Sequence, residues 1–149
     1  MHAFLTVFIS TSIFLDISAQ FGRVVEKRAV VIGISDYKDE SIPDLEFGHI
    51  DAQVFASYLN GSQGGSYQSN KIALLYNNLA TGGRVHNALN ALLEESKPND
   101  QIVIYFSGHG DIESNSDDEE GHLLLHDTPG NNYPVNSLRV TDLKRIIGV

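Results

Sequence analysis

The chain has 149 residues, no cysteine and a formal net charge of −9, with 42% apolar and 19% charged residues. That length holds one domain with a sizeable core, and the balance excludes a disordered tail. Ten scattered basic residues against nineteen acids leave no basic face for a nucleic-acid backbone. Without cysteine, neither a disulfide framework nor thiol catalysis can come from these residues alone.

The first twenty residues stand apart. Ala3 to Ile17 is an apolar and hydroxylic run, followed by Ser18-Ala19-Gln20. The small Ala19 suits the pocket of a signal peptidase. The run falls short of the roughly 20 apolar residues of a spanning helix, and Asp16 interrupts its end, so no stable membrane span is expected. The n-region lacks Lys and Arg. A buried first helix is the competing reading, but the run shows no polar face of helical period. Residues 1–20 therefore read as a signal peptide, 21–27 as a linker and 28–149 as the domain. The implied location is outside the cytoplasm, periplasmic or extracellular.

Arg28 to Ile34 (RAVVIGI) is continuously apolar after its first residue, the pattern of a strand buried on both faces. Asp51 to Leu59 carries apolar residues at 52, 54, 55, 58 and 59, a helical spacing closed by Gly61. Gly61 to Ser69 reads as a flexible loop with nothing to pack. Lys71 to Tyr76 is a second strand. Thr81 is placed to cap a second helix with the stripe Val85, Ala88, Leu89, Leu92 and Leu93, ending near Lys97 ahead of Pro98. Gln101 to Phe106 is a third buried strand, closed by Ser107-Gly108-His109-Gly110. An acidic loop from Asp111 to Gly121 follows, then a short strand, Leu123 to Leu125. A turn at Pro129-Gly130-Asn131 leads to a last helix from about Thr141, carrying Leu143, Ile146 and Ile147. Alternating strands and helices predict an α/β domain with a doubly wound sheet and helices on both faces. The sheet looks incomplete at its C-terminal end, because no strand follows the last helix. An unpaired edge of that kind predicts aggregation.

In such sheets the working crevice lies at the carboxyl ends of the strands, where His109 stands between two glycines. An imidazole with so little bulk beside it can meet a substrate as general acid/base, and the Gly110 amide can donate to a developing oxyanion. A turn histidine bonded to a neighbouring loop is the alternative from this local feature.

Ile102 to Gly110 (IVIYFSGHG) resembles the His-Gly block of the caspase/metacaspase peptidases. Arg28 to Ile34 with Tyr37, Leu45 through Asp51-Ala52 to Leu59, Lys97-Pro-Asn-Asp100, and Asp117 through Asp127 resemble further blocks in the family's order, together covering about residues 28–147. The resemblance implies a caspase-like fold and a bacterial cysteine endopeptidase acting on polypeptide substrates. It makes His109 the catalytic histidine and Gly110 the oxyanion-hole glycine. Caspase signatures place the nucleophilic cysteine roughly 50 residues after the histidine, and Val149 stands 40 residues beyond His109. The expectation is a partial domain, inactive alone, that stops before the strand bearing the thiolate. A non-catalytic caspase-like module that holds peptides is the alternative.

Asp51 matches an aspartate that helps form the family's pocket for Lys or Arg before the scissile bond. Against that stands a helix-capping role, since a carboxylate at a helix start binds free amides. The pocket cysteine of the family, three residues earlier, is Gly48 here. The resemblance implies no cofactor beyond calcium, which some members require. The paired acids of those members align with Leu123 and Leu124, so the acidic loop reads as a solvated face. His122 and His126, with Asp127 adjacent, have a zinc-binding spacing for a helix. Their surroundings read as a strand, and no metalloprotease glutamate accompanies them, so no metal ligand is assigned.

Expressed in an exporting host, the protein is expected to begin at or next to Gln20. Intact-mass analysis checks this, and a soluble cytoplasmic product retaining Met1 would contradict it.

Overall fold

The computed structural model describes residues 24–113 and 120–147. The expected signal peptide, residues 21–23 of the linker and the middle of the acidic loop lie outside the described residues. Strand β1 (Lys27–Gly33) is the centre of a parallel sheet, with β2 (Ile72–Tyr76) on one side and β3 (Gln101–Ser107) on the other. Helix α1 (Gly48–Asn60) connects β1 to β2, and α2 (Gly82–Glu95) connects β2 to β3.

The apolar run of β1 is buried on both faces, as its continuity predicts. Ala29 and Val31 pack with Ala52, Ala56 and Leu59 of α1. Val30 and Ile32 pack with Val85, Leu89 and Leu92 of α2. Successive strand side chains point to opposite faces, so one strand supplies both cores. At its start Arg28, 9% exposed, lies among Glu26, Glu95 and Asp100 at 3.7, 3.4 and 3.8 Å. These carboxylates offset the cost of burying its charge.

Several boundaries differ from the sequence reading. Helix α1 starts three residues before Asp51, and Val54 and Tyr58 of the expected stripe are exposed. With Phe47 and Ile50 they form an exposed apolar flank at spacings of three and four residues. Phe55 stacks on Tyr105 of β3 beside it, with ring centroids 4.2 Å apart. The loop 61–69 is not free of packing, because Tyr67 is buried in the core cluster on the α1 face of the sheet. Thr81 occupies the cap position of α2 without a side-chain hydrogen bond, and Asp127 Oδ1 accepts the Gly82 N–H instead (2.7 Å).

The largest correction is at the acidic loop. Its ends are strands, β4 (Gly110–Glu113) and β5 (Glu120–Leu123), paired antiparallel, and β6 (Leu138–Arg139) completes a second sheet. The expected strand Leu123–Leu125 is thus displaced towards the N-terminus, while Leu124 and Leu125 are buried in the main core. Helix α3 (Val140–Ile147) follows directly. Among the described residues β3 is paired along one edge only, and no helix is long and apolar enough to cross a membrane.

The β1–α1 contact requires glycine on both sides. A Cβ at Gly33 would lie 2.3 Å from the Gly48 carbonyl oxygen, and one at Gly48 would lie 2.4 Å from that of Ile34. Because the obstacles are backbone atoms, Gly33→Ala is expected to destabilise the fold by about 1–3 kcal/mol. Denaturant unfolding measures this, and an unchanged midpoint would contradict the close contact.

Candidate active site

The three parallel strands end at one edge, and the main site grows from it. The Ile34 N–H donates to the Ser107 carbonyl (2.9 Å), carrying the β1–β3 pairing to the last residue of β3. His109 follows two residues later, immediately before β4. Its Nε2 lies 2.8 Å from the Pro43 carbonyl oxygen. A carbonyl only accepts, so Nε2 carries the hydrogen, and in the neutral ring Nδ1 keeps a lone pair. The His109 backbone N–H donates to Tyr37 Oη at 2.8 Å, and the two rings are tilted with centroids 5.2 Å apart.

Gly110 faces Leu123 across the β4–β5 ladder. The Leu124 N–H donates to the His109 carbonyl (2.9 Å). In an antiparallel ladder hydrogen-bonded and non-hydrogen-bonded pairs alternate, which makes Gly110–Leu123 a non-hydrogen-bonded pair. The Gly110 N–H therefore points away from β5, on an exposed residue.

Asp51 lies in the first turn of α1, but it is not the cap. Its own N–H already donates to Phe47, the N-cap residue, and its Oδ2 accepts from the Ser107 hydroxyl at 3.2 Å. The helix packing brings an exposed carboxylate to the end of β3, two residues from His109. Gly48 has no room for a side chain against Ile34.

The loop from Asp36 to Asp44 is held by polar contacts. Asp44 Oδ1 accepts the Tyr37 N–H (3.0 Å), closing the loop around Pro43. Asp39 accepts from the Ser41 hydroxyl and N–H through Oδ1, and from the Gly130 N–H through Oδ2. These bonds, the Ser41 hydroxyl foremost, lower its carboxyl to about 2. Asn77 Oδ1 accepts the Ser35 N–H (2.9 Å).

Sequence reasoning missed Pro43, Ser107, Asp39 and the role of Tyr37. A carbonyl acceptor has no side-chain signature, and only the aromatic residue after the first strand was legible. His122 and His126 lie on β5 and the turn after it. Their Nδ1 atoms approach Ser137 Oγ (2.7 Å) and the Asp36 carbonyl (2.6 Å). Of the described acids in the former acidic loop, Asp111 accepts from the Tyr133 hydroxyl, and Glu120 accepts from Thr141. Among the described residues no three metal-binding side chains converge.

Residues 27–129 match the family described as metacaspase, peptidase C14 domain. No curated protein sequence matches. Among solved structures the chain is similar to the crystal structure of protein GSU0716 from Geobacter sulfurreducens, with a TM-score of 0.63 and 17% identity. The similarity covers 83% of this chain and 45% of that one, so the chain spans under half the length of the structure it matches. At that identity the likeness concerns the fold.

The Asp39 bonds favour its ionised form. Their contribution is fully present above the ordinary carboxylate range, near 4, and is lost as pH falls through about 2. Carboxyl-carbon NMR titration is expected to give Asp39 a midpoint near 2. A midpoint in the ordinary range would mean that the loop is not held this way.

Proposed function

The chain belongs to the metacaspase, peptidase C14 family, and we propose that it supplies the histidine half of a Cys/His endopeptidase site acting on polypeptides. The observation that carries this reading is the His109 ring, whose Nε2 hydrogen is committed to the Pro43 carbonyl. The Nδ1 lone pair is then the proton acceptor, directed by a fixed bond on the opposite side of the ring.

In this reading Nδ1 takes the thiol proton as sulfur attacks the scissile carbonyl carbon. The negative charge moves to the carbonyl oxygen, which the Gly110 N–H receives. His109 then gives the proton to the departing amine as the carbon–nitrogen bond breaks, leaving a thioester. Water hydrolyses the thioester, with His109 again as base, and regenerates the thiol. The dyad uses no cofactor in these steps.

The 149 residues contain no cysteine, so the thiol comes from outside them. A strand laid parallel to the open edge of β3 would run about 4.8 Å away and end beside His109. Asp51, at the same strand end, is assigned to substrate binding. Its carboxylate would pair with a Lys or Arg side chain preceding the scissile bond. We place the protein in an exported setting, on the strength of residues 1–20.

The same lack of cysteine favours a second reading, a peptide-holding module without catalysis. The coding sequence beyond Val149 separates the two. An apolar strand closed by a cysteine supports the dyad, and a stop codon supports the module.

The chain alone is expected to release no product from fluorogenic peptides. Turnover insensitive to chelators would contradict the dyad, whereas chelator-sensitive turnover would point to the His122–His126 pair. With the thiol-bearing strand present, His109→Ala is expected to abolish cleavage. Asp51→Asn is expected to lower kcat/KM for Lys and Arg substrates about tenfold, with the melting temperature nearly unchanged. Unchanged selectivity would remove Asp51 from the pocket.

A further inference from the structure

We propose that Tyr37 is a positioning residue for His109, whose hydroxyl holds the histidine out of the β4–β5 ladder and so keeps its ring on Pro43. The inference rests on the catalytic reading of His109 for its significance, but not for its geometry.

The register supplies the first part of the argument. Leu124 donates its N–H to the His109 carbonyl, the bond expected if His109 and Leu124 were a hydrogen-bonded antiparallel pair. Such a pair exchanges two bonds, and its second would run from the His109 N–H to the Leu124 carbonyl. That N–H instead donates to Tyr37 Oη at 2.8 Å, and β4 begins one residue later, at Gly110. The tyrosine hydroxyl thus ends the ladder at the histidine.

The second part is the shape of the site. Tyr37 is 6% exposed. Burial outweighs the opposing His109 N–H bond and, with a smaller contribution from the Asp44 charge, raises its hydroxyl above the usual phenol range. It therefore stays neutral across physiological pH. Its backbone N–H is bound to Asp44, which adjoins Pro43. One short loop consequently holds both ends of His109, the main chain through Tyr37 Oη and the ring through the Pro43 carbonyl. Gly108 makes the arrangement possible, since a Cβ there would lie 3.0 Å from Tyr37 Oη and 2.8 Å from Phe106 Cζ.

If the hydroxyl is removed, the His109 N–H loses its acceptor and the Leu124 carbonyl is the nearest one in register. Pairing there moves the His109 backbone towards β5 and draws Nε2 away from Pro43. The imidazole is then no longer confined to one tautomer, and its proton-accepting nitrogen is no longer fixed.

The test needs no thiol, so it is independent of the peptidase reading, which cleavage assays decide separately. Long-range proton–nitrogen NMR spectra of the nitrogen-labelled 149-residue chain report each histidine tautomer in the neutral state. His109 is expected to show the Nε2-protonated pattern alone. In Tyr37→Phe, which keeps the ring, that pattern is expected to give way to a mixture of both tautomers. The His126 and His49 patterns should stay unchanged, since the first is bonded to Asp36 and the second to Ser35. Gly108→Ala, which keeps the hydroxyl but displaces it, is expected to give the same loss and serves if Tyr37→Phe does not fold. An unaltered His109 pattern in a folded variant of either kind overturns the proposal. So does an equal change at all three histidines, which would indicate a general loss of structure.

Discussion

The burial of β1 on both faces is the constraint from which the rest of the molecule follows. A strand with no solvent face must have a neighbour along each edge and a helix over each face, because its polar backbone and apolar side chains all leave water together. The parallel partners β2 and β3 meet the first demand, and α1 and α2 meet the second. Parallel pairing forces each connection to cross the sheet. All strands therefore end at the same edge, and the loops that leave them gather there. The close approach of Gly33 to Gly48 draws the start of α1 down onto that edge. This is why Asp51 and Ser107, distant in sequence, share a hydrogen bond.

At that edge the forces change character. The core below is apolar, but holding the His109 ring so that one particular nitrogen carries the hydrogen takes directed bonds. The molecule achieves this with backbone and carboxylate hydrogen bonds in the loop between β1 and α1. Asp39 ties the loop to Gly130, Asp44 closes it, and Asn77 holds its beginning. Each such bond contributes modestly to stability. Their value is directional, since together they leave the Pro43 carbonyl one place to point. The acidic charge of the chain is partly explained in the same way, because Asp39, Asp44, Asp100, Asp111 and Asp127 each accept bonds from the fold.

The open edge of β3 and the apolar flank of α1 lie side by side. Phe47, Ile50, Val54 and Tyr58 are exposed there, next to the stacked Phe55 and Tyr105. Unpaired strand edges and contiguous apolar surface both favour association.

Much of this was legible in the sequence. Continuous apolarity marked β1 as doubly buried and β3 as a strand, although the residues of β3 are only partly buried; helical spacing marked α2, and the glycines around His109 marked the end of β3. These readings hold because burial is set by side-chain chemistry at a fixed local period. The failures share a different cause. The loop at 61–69 seemed unpacked because the single Tyr67 in it gives no period, and the exposed residues of α1 have the spacing of a buried face. The acidic loop concealed a hairpin because its pairing with β5 and β6 outweighs the low strand propensity of its charged residues. The sequence alone determined the class of fold, the strand that ends at His109 and the absence of a thiol. Only the tertiary structure decided which nitrogen of His109 carries its hydrogen, which groups hold it and what lies beside Asp51. Those answers depend on backbone carbonyls and on hydroxyls brought together across 66 and 72 residues. Such atoms belong to every residue or to common ones, and only folding gives them a direction.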